Sequence, residues 1–155
     1  MSSSLLRGAL AGVALACIGN IVHADDAATV ESRQATMKQQ SKDMAAVKAY
    51  LDDKADLASA QTAGADLVIQ VAKIPDIFQK GTGMDALPGK SYARPVIWTE
   101  ADKFTGLAKT AADKAVALDA ALKGGDKAAI AAAFGDMGKN GCGGCHEPFR
   151  EMKPS

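Results

Sequence analysis

Apolar residues recur at seven-residue spacing along four separate stretches of this 155-residue chain. The four stretches run from about Asp26 to Leu51, from about Lys54 to Gln79, from Pro95 to Gly124–Gly125, and from Asp126 through the last cysteines. Such spacing is typical of helices that pack along a shared seam. It predicts an all-α fold, an antiparallel four-helix bundle in which short connections join helix one to two and helix three to four.

The composition supports the same fold class. The chain holds thirty-two alanines and only seven aromatic residues. Alanine is the strongest helix former, whereas strands are rich in β-branched and aromatic residues, so an all-β fold is excluded. Because alanine buries little surface, we expect a thin core that depends on something besides its own side chains.

The charge of the chain argues against two classes of partner. Eighteen basic and eighteen acidic residues give a formal net charge of zero. A neutral chain has no overall electrostatic attraction to nucleic acid or to anionic lipid. We therefore expect neither as a partner.

Residues 1–24 have the features of a secretory signal peptide. Arg7 supplies the positive charge, a mostly apolar stretch follows to Val22, and Val22 and Ala24 are small residues at positions −3 and −1 of a cleavage site. A retained anchor, or a lipid anchor on Cys17, is the alternative. The interpretation predicts a mature domain over residues 25–155 in the periplasm, without stable membrane insertion.

Removal of this segment leaves the mature chain with two cysteines and one histidine, all within five residues. They form the run Cys142-Gly143-Gly144-Cys145-His146. This is the attachment pattern of c-type haem. Two thiols three residues apart lie on one helix face and can add to the two vinyl groups of a haem. The next residue then offers an imidazole to the haem iron. We therefore predict one covalent haem c, with Cys142 and Cys145 as thioether anchors and His146 as the proximal iron ligand.

Three other interpretations of this run are less consistent with the sequence. A zinc site needs a fourth protein ligand, and no further cysteine or histidine remains after processing. A redox-active dithiol normally accompanies a βαβ pattern, which this sequence lacks. A disulfide within one helix is geometrically awkward and leaves His146 without a role.

The second axial position of the iron must be filled by methionine or by nothing, because the mature chain has a single histidine. Met137 and Met152 lie on the same helix as His146 or just after it and cannot easily reach the opposite haem face. Met84 lies in a loop, where its reach cannot be judged from sequence.

Met37 and Met44 lie on the inner seam of helix one, where methionine is usually core filler. Met37 has one further feature, because Arg33 lies one turn earlier on the same side. A cation along a bundle seam is costly unless it meets an anion, and a haem propionate would supply one. The alternative is that Arg33 lies at a solvated edge.

Three motifs in order resemble the class II cytochromes c, the four-helix cytochrome c′ and cytochrome c556 family. They are Arg33–Lys38, Ala93–Trp98 and the run from Cys142 to Arg150. The resemblance covers essentially the whole mature chain. It implies a left-handed antiparallel bundle with one covalent haem and its iron near one end.

The resemblance also suggests roles for single residues. In the c556 branch the methionine that matches Met37 ligates the iron, whereas in cytochromes c′ the matching residue only shields an open site. Arg33 would lie near a propionate, and Trp98 would line the pocket or pack between helices. Pro148 departs from the family pattern and is expected to perturb the helix after His146.

The pattern Arg-Gln-x-x-Met-Lys is more similar to cytochrome c556. We therefore expect an electron-transfer protein, not an enzyme, with low-spin iron held by His146 and Met37. The alternative is a five-coordinate cytochrome c′ that binds nitric oxide or carbon monoxide. Other redox proteins would be its partners, and a homodimer is compatible with the family.

Overall fold

The computed structural model describes residues 21–152, with side chains described from residue 26 onward. Within this range the α-helices are α1 (Ile21–Leu51), α2 (Leu57–Ala72), α3 (Val96–Thr99), α4 (Ala101–Gly124), α5 (Lys127–Asp136) and α6 (Gly144–Phe149). A π-helical segment, Met137–Gly143, joins α5 to α6. No strand forms in this part of the chain, and the predicted all-α fold is confirmed.

Four long helical units make the bundle. Helix α1 packs against α2, α2 packs against α4, and α4 packs against α5 and the π-helical segment, while α1 also contacts α5. Helix α5, the π-helical segment and α6 together form the fourth unit. The buried residues of α2 and α4 include five alanines: Ala60, Ala63, Ala108, Ala111 and Ala115. Alanine therefore forms part of the core, beside larger residues such as Leu67 and Leu118.

Helix α2 is shorter than the predicted stretch Lys54–Gln79. It begins after Asp56, whose side chain accepts a hydrogen bond from the Ser59 N–H at 2.8 Å, as an N-cap does. It ends before the 3₁₀ turn Ile74–Asp76, which contains Pro75. Proline lacks the backbone donor that a continuing helix needs, so the predicted last turn becomes a tighter one.

The predicted third helix is divided into α3 and α4. The break lies at Glu100, whose backbone leaves the helical region at φ −114° and ψ 47°. The end of α4 is as predicted, because Gly125 adopts a left-handed φ of 76°. Asp126 then caps α5, with its carboxylate accepting from the Ala128 N–H at 2.8 Å.

The end of the fourth helical unit is tied to the segment that precedes α3. The Arg94 N–H donates to the Phe149 carbonyl at 2.9 Å, and the Glu151 N–H donates to the Tyr92 carbonyl at 2.8 Å. Pro148 occupies the last turn of α6, and the chain becomes extended at Arg150. The perturbation expected from Pro148 is therefore an early end to the helix, just after the cysteine and histidine motif.

The N-terminal prediction extends beyond the described part of the chain. Residues 1–20 of the expected signal peptide lie outside the described residues, and α1 runs through the expected cleavage point after Ala24. The signal peptide therefore stays a prediction. None of the helices in residues 21–152 has the combination of length and apolar character that a membrane span requires.

Candidate functional site

A cavity of about 430 Å³ opens at the end of the bundle that holds the cysteine and histidine motif. Its size is within the usual range of about 300–1,000 Å³ for cofactor pockets. Apolar side chains from α2, α4 and the intervening loop form much of its wall: Val71, Ile74, Phe78, Ile97, Phe104 and Ala111. The motif and helix α1 complete the lining.

Cys142 and Cys145 both line this cavity as free, half-buried thiols. Cys142 belongs to the π-helical segment and Cys145 to α6, so the pattern crosses a change of helix type. A π-helical turn inside a helix is uncommon and occurs frequently at functional sites. The structure thus brings both predicted anchors to one wall of one cavity.

Burial raises the pKa of both thiols, and that of Cys145 reaches about 11, with the neighbouring Cys142 adding to the effect. A redox-active dithiol needs the opposite, a thiolate stabilised by a lowered pKa. Within residues 21–152, no three histidine, cysteine, aspartate or glutamate side chains converge on a point that could hold a metal ion. The thiol chemistry therefore favours attachment of a group over a dithiol or zinc site.

His146 follows directly and lines the same cavity. Its imidazole is half-buried, and its pKa is lowered first by burial and then by the positive charge of Arg150. A lowered pKa keeps the imidazole neutral at physiological pH, which is the form that ligates iron. The imidazole makes no hydrogen bond within the described structure, so it is free to serve as a ligand.

Met37 on α1 lines the cavity that holds His146. Met44, seven residues later, packs against the hydrophobic core and is not part of the lining, as expected for core filler. Met137 also lines the cavity, but it is buried and belongs to the same π-helical segment as Cys142. Met84 lies outside the lining, in the loop before α3, which comprises residues 77–95. Met37 is thus the methionine of α1 that shares the cavity with His146.

Arg33 is buried, with 4% of its surface exposed, and it also lines the cavity. The alternative in which Arg33 lies at a solvated edge is therefore wrong. Its guanidinium donates to Thr82 and to Ser91, and no ion pair within residues 26–152 includes it. A buried cation without an anionic partner fits the predicted propionate contact.

Trp98 is not part of the cavity lining. Its indole Nε1 donates to the Phe78 carbonyl at 3.1 Å, and its ring lies against Gly83. The pocket role suggested for Trp98 is therefore replaced by the packing role, because the indole N–H finds its acceptor in the loop before α3.

Sequence reasoning missed the aromatic floor of the cavity. Phe104 packs edge-on against Phe78 at a centroid distance of 5.0 Å and against Phe149 at 5.3 Å. These residues come from a loop, α4 and α6, so no local spacing connects them. Thr82 and Ser91 were missed for the same reason. Their only sequence signal is their position in a glycine-rich loop.

The residues present fit a covalent haem. Two thiols three residues apart, a neutral imidazole, an unpaired buried cation and an apolar wall surround one space of suitable size. Packing against the rest of the protein does not require glycine at both positions between the two cysteines. A Cβ on Gly144 would meet nothing within 4 Å, so the space beside it is open.

Comparison with known proteins points the same way. The family model described as Cytochrome C' matches residues 28–150. Cytochrome c' of Pararhodospirillum photometricum is 34% identical over 125 residues, covering 80% of this chain and 97% of that protein. The crystal structure of cytochrome c' from Rubrivivax gelatinosus superposes with a TM-score of 0.70 at 31% identity, covering 81% of this chain and 97% of the other.

A further solved structure includes a gaseous ligand. It is the nitric oxide complex of a mutant of cytochrome c prime from Alcaligenes xylosoxidans. The TM-score is 0.72 at 28% identity, with 83% of this chain and 97% of the other covered.

Proposed function

This chain belongs to the cytochrome c′ family, whose members bind covalent haem c, and on that premise we propose that it is a five-coordinate haem protein that binds nitric oxide or carbon monoxide. The family match carries the choice of coordination, and the cavity shared by Cys142, Cys145 and His146 supports the haem site itself. A relative of the same fold is known as a nitric oxide complex.

Each residue of the site has a defined task in this proposal. Cys142 and Cys145 hold the haem through thioethers, and His146 supplies the neutral imidazole on one side of the iron. When bound, the haem supplies an iron that takes up a diatomic ligand or exchanges one electron. The Phe78 and Phe104 rings exclude water from the cavity. Met37 crowds the distal side and so restricts what can reach the iron.

The family match favours this alternative over the electron-transfer hypothesis with Met37 as an iron ligand. That hypothesis remains the second candidate because Met37 lines the cavity, whereas Met44, the other methionine on the inner seam of α1, does not. Methionine–histidine ligation would raise the reduction potential and close the iron to gases. The two candidates therefore differ in the coordination number of the iron.

The visible absorption spectrum of the haem-loaded protein, oxidised and reduced, with and without carbon monoxide, separates them. We expect a high-spin spectrum that changes when carbon monoxide is added. A low-spin spectrum with a methionine-to-ferric-iron band, unchanged by carbon monoxide, would overturn the proposal in favour of electron transfer. Loss of the haem during acid extraction would overturn covalent attachment itself.

Substitution of Met37 provides the first mutational prediction. If the iron is five-coordinate, Met37→Leu keeps the high-spin spectrum, and Met37→Ala tightens carbon monoxide binding about tenfold, the equivalent of about 1.4 kcal/mol of relieved crowding. If Met37 is a ligand, both variants convert a low-spin spectrum to high spin. Met44→Leu is the matched control, since that methionine lies outside the cavity, and it should change neither spectrum nor affinity.

The surroundings of the protein complete the proposal. We place it in the periplasm after removal of residues 1–24, as a binding protein rather than an enzyme. Other redox proteins would reduce and oxidise its iron, and a homodimer is the assembly to test. Mass spectrometry of the exported protein tests the cleavage site, and light scattering tests the assembly.

A further inference from the structure

The buried guanidinium of Arg33 is held by two hydroxyl side chains from the loop before α3. Arg33 Nη1 donates to Thr82 Oγ1 at 2.8 Å, and Nη2 donates to the Thr82 carbonyl and to Ser91 Oγ, both at 3.0 Å. The Phe78 ring lies 4.6 Å from the guanidinium carbon. Thr82 and Ser91 are themselves buried, with 0% and 2% of their surfaces exposed.

Both hydroxyls are fixed as acceptors toward Arg33. A hydroxyl has one proton to donate. Thr82 Oγ1 gives its proton to the Gln79 carbonyl at 2.7 Å, and Ser91 Oγ gives its proton to the Thr82 carbonyl at 2.8 Å. The Thr82 hydroxyl oxygen then accepts from the guanidinium, and the Ser91 hydroxyl oxygen accepts from the guanidinium and, at 3.3 Å, from the Ala93 N–H. Each hydroxyl therefore has only one useful orientation.

The acceptors that hold Arg33 are all neutral. They satisfy the guanidinium donors without cancelling the charge, and no carboxylate within residues 26–152 pairs with it. Burial lowers the pKa of Arg33, yet arginine stays charged at any physiological pH. The loop therefore presents a full positive charge at the wall of the cavity that also contains His146.

We propose that Thr82 and Ser91 are positioning residues that hold the charge of Arg33 against the haem cavity and thereby favour the reduced iron. This inference rests on the proposed haem site. Oxidised iron carries one more positive charge than reduced iron, so a fixed, desolvated cation nearby, which also offsets the negative charge of a haem propionate, disfavours the oxidised state. Without the hydroxyls, a long arginine side chain is free to turn its head toward water.

Potentiometric titration of the haem-loaded variants Thr82→Val and Ser91→Ala tests the role. Both keep the size of the side chain close to the original and remove the acceptor. We expect each to lower the ratio of reduced to oxidised protein about threefold at a fixed potential, equivalent to a reduction potential lower by about 28 mV at 59 mV per tenfold change. Thr82→Ser keeps the hydroxyl and should restore the wild-type value.

A matched control and a double variant separate positioning from a general structural effect. Thr62→Val removes a threonine hydroxyl that bonds only within its own helix, and it should leave the potential unchanged. Arg33→Gln should lower the potential, and adding Ser91→Ala to Arg33→Gln should lower it no further, because the hydroxyl acts through the guanidinium. An additive double variant would overturn the proposal.

Failure of this inference is distinguishable from failure of the proposed function. If wild-type protein retains no covalent haem, the proposed site is wrong and this inference falls with it. If the variants retain haem with the wild-type spectrum but also the wild-type potential, the positioning role is wrong and the site stands. If one variant does not fold, the result at the other position decides, since each hydroxyl accepts its own hydrogen bond from Arg33.

Discussion

Asp43 is the acidic residue that the bundle buries most deeply, with 4% of its surface exposed. Gln39 Nε2 donates to Asp43 Oδ1 at 2.8 Å and to Asp66 Oδ2 at 3.2 Å, linking α1 to α2. Asp43 Oδ2 finds no hydrogen-bond partner in the described structure. The pKa of Asp43 is raised, chiefly by burial and further by the nearby Asp66, against a lowering by Gln39 and Lys42.

A raised pKa in the folded state means that stability decreases as pH rises. The penalty is absent below the unfolded pKa of about 3.9 and is complete above the raised folded value. Asp43→Asn removes the buried charge, so we expect its free energy of unfolding at about pH 7 to exceed the wild-type value by about 1–2 kcal/mol. The advantage should shrink toward about pH 4. Guanidinium denaturation of the haem-loaded protein across that range measures the difference.

Asp113→Asn is the control for this prediction. Asp113 is exposed on α4 and pairs with Lys109 at 2.8 Å. Exposed ion pairs contribute about 0–1 kcal/mol, so the control should change stability little at every pH. An Asp43→Asn variant that is less stable than wild type at about pH 7, with a disadvantage that shrinks toward about pH 4, would show that the bundle favours the charged carboxylate.

Among the structural elements, the loop before α3 is the one on which the site depends most. It carries Thr82 and Ser91 to Arg33, and it is closed by contact between Gly83 and Trp98. A Cβ on the buried Gly83 would come nearest to the Asp85 carboxylate, a movable side chain, and would lie 2.7 Å from Trp98 Cζ3, closer than carbon atoms approach. The indole cannot move aside easily, because its N–H is bonded to the Phe78 carbonyl.

Gly83→Ala should therefore destabilise the protein. Overpacking of a filled site costs about 1–3 kcal/mol, and outside a helix the alanine gains no helix propensity to offset it. Thermal unfolding of the haem-loaded protein measures the loss. Gly106→Ala on α4 is the matched control, since its Cβ would meet nothing within 4 Å, and it should be neutral or slightly stabilising. Equal melting of Gly83→Ala and wild type would contradict this packing role of Trp98.

The same elements show what sequence could predict. The helical seams, the end of α4 at Gly125 and the cap at Asp126 depend on residues within one or two turns, so their patterns are visible in the sequence. The cysteine and histidine motif is also local. Arg33 is different, because its partners Thr82 and Ser91 lie 49 and 58 residues away in a loop without periodicity.

Trp98 and the π-helical segment show a second limit. An aromatic residue at the start of a helix suits a cofactor pocket and an interhelical contact equally well, and only the acceptor for its N–H decides. The π-helical turn over Met137–Gly143 leaves no mark in the apolar spacing. The shared location of Cys142, Cys145 and His146 was thus predictable, whereas the backbone geometry that presents them was not.

At the scale of the whole molecule, the cavity of about 430 Å³ occupies one end of a small bundle. The apolar side chains that line it lack packing partners until a cofactor fills the space. The free energy of unfolding of a typical domain is only about 5–15 kcal/mol, so such missing contacts matter. An alanine-rich core has few large side chains with which to compensate, so the haem is expected to complete the fold as well as the site.

The haem-free chain should therefore be poorly ordered. We expect Cys142→Ser/Cys145→Ser protein, purified without haem, to retain helical circular dichroism but to melt over a broader and lower temperature range than the haem-loaded wild type. A ligand that binds only the folded state stabilises that state by mass action, and covalent attachment makes the contribution permanent. Adding free haem to the variant should sharpen its melting if His146 still binds the iron. Equally cooperative melting with and without haem would show that the helices alone specify the bundle.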